Sequence, residues 1–297
     1  MIVLPLILMM QGAMVQPGAN PRPLTESELP IPRARKAAPP PRAPTGPAPT
    51  VEQDRAALCL AKVRSDPPGA AKDAQDWLAE SRSAKPLQAP RLCLGMAQAA
   101  LLQWEAAEQT FSGLALEVPV EGGGETAVAY RAMAGTAAIA GGFPERALPW
   151  LDQAVAGAAS IAPAQLGEIQ IDRARALVAL DKPAKARTAL NEAHRLSPDD
   201  PDGWLLSATL YRRARDLTAA QADIEKAAAL SATDPAIGLE AGVIAMLGGR
   251  EAAARKSWDS VIALAPASNE ARIAKGYLEQ ISPTAAATAP AQAPGKP

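Results

Sequence analysis

Few side chains in this chain of 297 residues could carry out chemistry, and their spacing decides against it. Its one histidine, His194, has no second imidazole to share a metal and stands near the predicted end of a helix. There it meets the negative end of the helix dipole and reads as an exposed or capping residue. Gly122-Gly123-Gly124 could cradle a phosphate, but Glu121 and Glu125 flank it and would repel one, so it reads as a loop. No HExxH, CxxC, GxSxG or Walker-type segment occurs. The expectation is no catalytic residue, no metal site and no cofactor. Between residues 51 and 281, 24 basic side chains face 29 acidic ones, a balance that speaks against nucleic acid as a partner.

The elements that position these residues follow from an internal period of 34 residues, the mark of a helical solenoid. Take Asp54, Gln88, Val128, Gly167, Pro201 and Pro235 as first residues of successive units. The eighth place then reads Ala61, Gly95, Gly135, Ala174, Ala208 and Gly242, and the twenty-fourth reads Trp77, Phe111, Leu151, Leu190, Ile224 and Trp258. From the second unit on, the twentieth reads Ala107, Ala147, Ala186, Ala220 and Ala254. A small residue on one helix lets its antiparallel partner approach, and a bulky one fills the gap beside it. No unit buries its face alone.

Asp200-Pro201 and Asp234-Pro235 each set a capping carboxylate before a proline at the first helical position. Thr50 with Gln53 makes a capping box at the entry to the repeats. Two stretches, near residues 122–127 and 162–166, interrupt the period and are expected to be loops. Residues 268–281 read as a solvating terminal helix. Sustained alternation of period two is absent, so strands are not expected.

Cys59 and Cys93 sit one period apart, inside the matching phrases Leu58-Cys59-Leu60-Ala61 and Leu92-Cys93-Leu94-Gly95. Neighbouring helices pack about 10 Å apart, whereas a disulfide wants its Cα atoms within about 7 Å. That spacing favours two small buried hydrophobes over a cross-link, and two cysteines alone do not decide the redox compartment.

The register resembles that of the tetratricopeptide repeat family, of bacterial type. Trp204, Ala208, Tyr211, Ala220, Ile224 and Ala227 of the fifth unit match its motif, as do Ala174, Leu177, Ala186, Leu190, Ala193 and Pro198 of the fourth. Gly242, Ala254, Trp258 and Pro266 of the sixth match as well. The first unit departs, with Arg64 and Asp73 in place of an aromatic residue and an alanine, so its second helix is expected to be shifted or poorly packed. The resemblance covers residues 54–281 and implies an all-α, right-handed superhelical solenoid of about six antiparallel helix pairs plus a C-terminal capping helix.

It also implies a non-enzymatic module that binds a protein or peptide partner on the concave face lined by the first helix of each pair. Carried over place by place, that face holds Met96, Ile139, Arg175, Val178, Leu205, Thr209, Arg212, Arg213, Val243 and Met246, apolar at its ends and charged in the middle. The three arginines could clamp a carboxylate, or be solvated or satisfied by Glu168 and Asp202. Val243 and Met246 could equally be covered by the terminal helix. The alternative is an accessory or regulatory subunit of an envelope enzyme or export complex, such as one for polysaccharide, and self-association through an edge repeat stays open.

Composition divides the chain into residues 1–19, 20–49, 50–281 and 282–297. The apolar run at residues 2–10 is too short to span a bilayer and fits the core of a signal peptide. Residues 17–49 hold eleven prolines and read as an extended linker. Residues 282–297, rich in alanine and proline, read as a disordered tail. The expected location is periplasmic, with a cytoplasmic protein as the alternative, and no integral membrane span is expected.

Overall fold

The computed structural model describes residues 51–80, 88–119 and 122–281, all within the second of two units of the chain, Pro49–Pro297. The expectations for the leader, the linker, the tail and the capping threonine, Thr50, lie outside the described residues. Thirteen helices make up the described part. They are α1 (Val51–Ser65), α2 (Pro67–Glu80), α3 (Gln88–Ala100), α4 (Trp104–Glu117), α5 (Gly124–Ala140), α6 (Pro144–Ala156), α7 (Pro163–Ala179), α8 (Pro183–Leu196), α9 (Pro201–Arg213), α10 (Leu217–Leu230), α11 (Pro235–Leu247), α12 (Glu251–Leu264) and α13 (Asn269–Ile281). Each packs on the next in an all-α solenoid of six helix pairs and a terminal helix, and among the described residues there is no strand.

The packing rule read from the period is visible atom by atom. A Cβ placed on Gly95 would stand 2.5 Å from the Phe111 ring, one on Gly135 would stand 2.6 Å from Leu151, and one on Gly242 would stand 2.1 Å from Trp258. Each pair is an eighth place meeting the twenty-fourth of its own unit. Glycine is needed there because the backbone itself is the contact surface. The turn inside each unit repeats as well: Leu102, Gly142, Asp181, Arg215 and Gly249, all at the fifteenth place, have φ between 53° and 81°. A left-handed residue just past the first helix ends it and reverses the chain.

Helix starts follow local chemistry. The carboxylates of Asp200 and Asp234 accept hydrogen bonds from the backbone N–H groups of Asp202 (2.9 Å) and Ala236 (2.8 Å). Asp216 does the same for Ala219 at 3.0 Å. In α2 the buried stripe is Ala70, Ala74 and Trp77. Asp73 therefore turns outward, where it pairs with Lys62 at 2.7 Å. Ala61 is exposed, so the first unit is rotated relative to the rest.

Two expectations are corrected. The interrupting stretches are largely helical: α5 and α7 run 17 residues against 13 for α3, α9 and α11. Four extra residues are about one more turn at the N-terminus of each. Pro163 opens the added turn of α7, and the Gln165 side chain accepts the Ala162 N–H at 3.2 Å. The true connections lie a few residues earlier, the second holding a single 3-10 turn at Ala158–Ser160. Beside the first, buried Arg131 donates to the carbonyls of Ala127 and Val118, each at 2.8 Å, and ties it to α5.

The second correction concerns Cys59 and Cys93, which form a disulfide with a Cα–Cα distance of 6.1 Å. The 10 Å estimate refers to helix axes. Residues that face each other across the contact are closer by two Cα radii of about 2.3 Å, which brings them within bonding reach.

Candidate functional site

The first helices of the pairs stack side by side, α1 on α3, α5 on α7, α7 on α9 and α9 on α11, whereas α3 and α5 hardly touch. A cleft of about 300 Å³ opens there. One wall is a stripe of α5, Glu125, Ala129, Ala132 and Thr136, spaced three and four residues apart so that all point the same way. Opposite stand Gln165, Glu168, Ile169 and Asp172 of α7. Met96, Ala99 and Trp104 complete the rim from α3 and α4, and buried Phe111 and Val128 form part of the floor. The cleft exists because Ala99, Ala129 and Ala132 carry nothing beyond Cβ where larger side chains would close it.

Hydrogen bonds bridge α5 and α7 at both ends of the stripe. The Gln165 amide donates to Glu125 at 3.3 Å, and the Thr136 hydroxyl donates to Asp172 at 2.6 Å. Glu125 and Gln165 both belong to the extra turns. The interruptions of the period thus supply one end of the cleft.

Charge is distributed unevenly around it. Both carboxylate oxygens of Asp172 are engaged, one by Thr136 and the other by Arg175 at 2.6 Å, while Arg175 also donates to Asp202 at 2.7 Å. Burial by itself would lower the Arg175 guanidinium, but contact with the two aspartates outweighs it and the pKa is raised. Glu168 and Glu125 have no cation within ion-pair distance among the described residues.

The ten residues expected on the concave face stand in different settings. Met96 alone of them lines the cleft, 36% exposed. Ile139, Val178 and Leu205 pack against three successive core clusters, of α5–α7, α7–α9 and α9–α11. Thr209 is half-buried on α9. Val243 and Met246 lie against the cluster that α13 completes with Ala271 and Ala274, so the terminal helix covers that end. In the charged middle, Arg175 is held by Asp172 and Asp202, Asp172 taking the place anticipated for Glu168. Arg212 donates to Glu240 at 2.6 Å. Arg213 is exposed without a carboxylate partner among the described residues. Overlooked along the α5 and α7 stripes were Glu125, Ala129, Ala132, Gln165, Ile169 and Asp172, and the broken period was the signal for Glu125 and Gln165.

His194 is neither exposed nor capping. Its ring stacks on Trp204 with centroids 3.6 Å apart and planes within 9°, and Lys226 lies 3.9 Å from the same indole centroid. Its Nε2 is buried without a hydrogen-bond partner among the described residues. Burial lowers the imidazole pKa from the usual 6.5, against the pull of Asp223 and Asp200. No group of three or more His, Cys, Asp or Glu side chains among the described residues could hold a metal ion.

A model of the tetratricopeptide repeat matches residues 167–210, the fourth unit and the first helix of the fifth. Residues 167–210 thus form a tetratricopeptide repeat. Solved repeat structures share its architecture: PilW, a type IV pilus biogenesis factor, has a TM-score of 0.63 at 16% identity, covering 76% of this chain and 99% of its own. The structure titled for pilF of Pseudomonas aeruginosa has 0.60 at 15%, covering 76% and 97%. A thermophilic repeat protein of Thermus thermophilus has 0.54 at 20%, covering 66% and 100%. At these identities the likeness is one of fold. No curated protein matches the chain in sequence. Among the described residues no helix is long and apolar enough to cross a membrane.

Proposed function

We propose that this repeat protein is a non-enzymatic scaffold that receives a segment of a partner protein in the cleft between α3, α5 and α7. The observation that carries the reading is the cleft itself, an apolar recess of about 300 Å³ on the first-helix face with both ends bridged by hydrogen bonds. A recess held in shape by packed helices loses little freedom on binding, so a small apolar contact yields usable affinity. The Cys59–Cys93 disulfide supports an exported, periplasmic location, because such bonds persist in oxidising compartments and are rare in a reducing cytosol.

A photo-crosslinking side chain placed at Ala132 in cells tests this, with a second at exposed Ala222 on α10 as control. The expected result is one defined partner crosslinked from position 132, lost when Ala129→Leu fills the cleft, and a mature N-terminus beyond Ala13. Equal crosslinking from both positions would overturn the cleft as the site. An intact Met1 with cytosolic partners would overturn export.

A further inference from the structure

Resting on that reading, we infer that the cleft selects a partner segment presenting a basic side chain, lysine or arginine, next to an apolar residue. The argument is one of charge left over. Of the three arginines on the first-helix face, Arg175 and Arg212 are neutralised by carboxylates of this chain. At the cleft, Glu125 receives only an amide hydrogen and Glu168 is exposed, so two carboxylates border an apolar recess with no internal cation among the described residues.

A long basic side chain answers both features at once. Its aliphatic stem can lie on Ala129, Ala132 and Met96 while its charged head stays at the wet rim beside the carboxylates. Trp104, on the same rim, is of the residue type whose ring attracts a cation most strongly. An acidic segment would meet uncompensated like charge. This is the reverse of the preference that the arginines suggested.

The test is a phage-displayed random heptapeptide library panned on the full chain, followed by titration of one enriched peptide against three proteins: the natural chain, Glu125→Gln/Glu168→Gln and Ala129→Leu. The expected result is enrichment of Lys or Arg beside an apolar residue. The double Gln variant should then bind about three- to tenfold more weakly at low salt, with the difference shrinking at high salt. Enrichment without a basic residue, or equal affinity for the natural chain and the double variant, would overturn the inference while leaving the cleft reading intact. Peptides that bind a folded Ala129→Leu protein undiminished, or no enrichment at all, would overturn the cleft reading itself. The two Gln substitutions touch no core contact, so the charge test holds whatever Ala129→Leu does to stability.

Discussion

Replacing both Cys59 and Cys93 by alanine should loosen one end of the solenoid and leave the other unchanged. The bond joins α1 to α3 across a sequence separation of 34 residues. By the chain-entropy relation, closing a loop of that length removes about 12.6 cal/mol/K from the unfolded chain, or about 3.8 kcal/mol at room temperature. The helix it secures has little else: among its described side chains α1 buries only Cys59 and Val63, while Leu58 is 72% exposed. Because each repeat touches only its neighbours, the loss stays near the bond. Amide hydrogen exchange read by mass spectrometry reports it region by region. In the double variant α1 and α2 should exchange up to several hundred times faster, since about 1.4 kcal/mol corresponds to a factor of ten, with α9 to α13 unchanged. Unchanged exchange in α1 and α2 would refute the disulfide as their main anchor. An equal acceleration along the whole chain would refute the local nature of the coupling.

Two further outcomes follow from packing and titration. Gly242→Ala places a methyl group 2.1 Å from the Trp258 indole, which must move and give up its 3.2 Å hydrogen bond to the Leu239 carbonyl. Overpacking of this kind costs about 1–3 kcal/mol, so the urea midpoint should fall and tryptophan fluorescence should change. His194 titrates below 6.5 when folded and near 6.5 when unfolded, so the unfolded chain binds its proton more readily. Its contribution is therefore complete above pH of about 6.5 and is lost as pH falls from there toward the folded pKa. His194→Phe, which keeps the stack on Trp204, should flatten the fall in urea midpoint between pH 7.5 and 5; an unaltered slope would mean that another group sets it.

Much of the architecture was legible in the residues because the solenoid repeats one local problem six times. Where the backbone must come close to Phe111, Leu151 or Trp258, only glycine fits, and those glycines recur with the period. Aspartate before proline marked the starts of α9 and α11 for an equally local reason, a carboxylate within reach of the first free N–H groups. His194 was misread because its neighbours Trp204 and Lys226 come from the following helix pair, and stacking between elements leaves no trace in local spacing.

The sequence by itself determined the unit, its helix pair and the order of the pairs, since these depend on contacts within a unit or with the next one. Only the tertiary structure decided what depends on a fraction of a helix diameter. It brought Cys59 and Cys93 to 6.1 Å, turned two apparent loops into extra turns, and gave Arg175 and Arg212 to neighbouring carboxylates. It also left Glu125 and Glu168 at the mouth of an alanine-lined cleft. Period and composition say which residues share a face, but a cleft is the space that side chains on several helices fail to fill, and that is set by how the helices sit against one another.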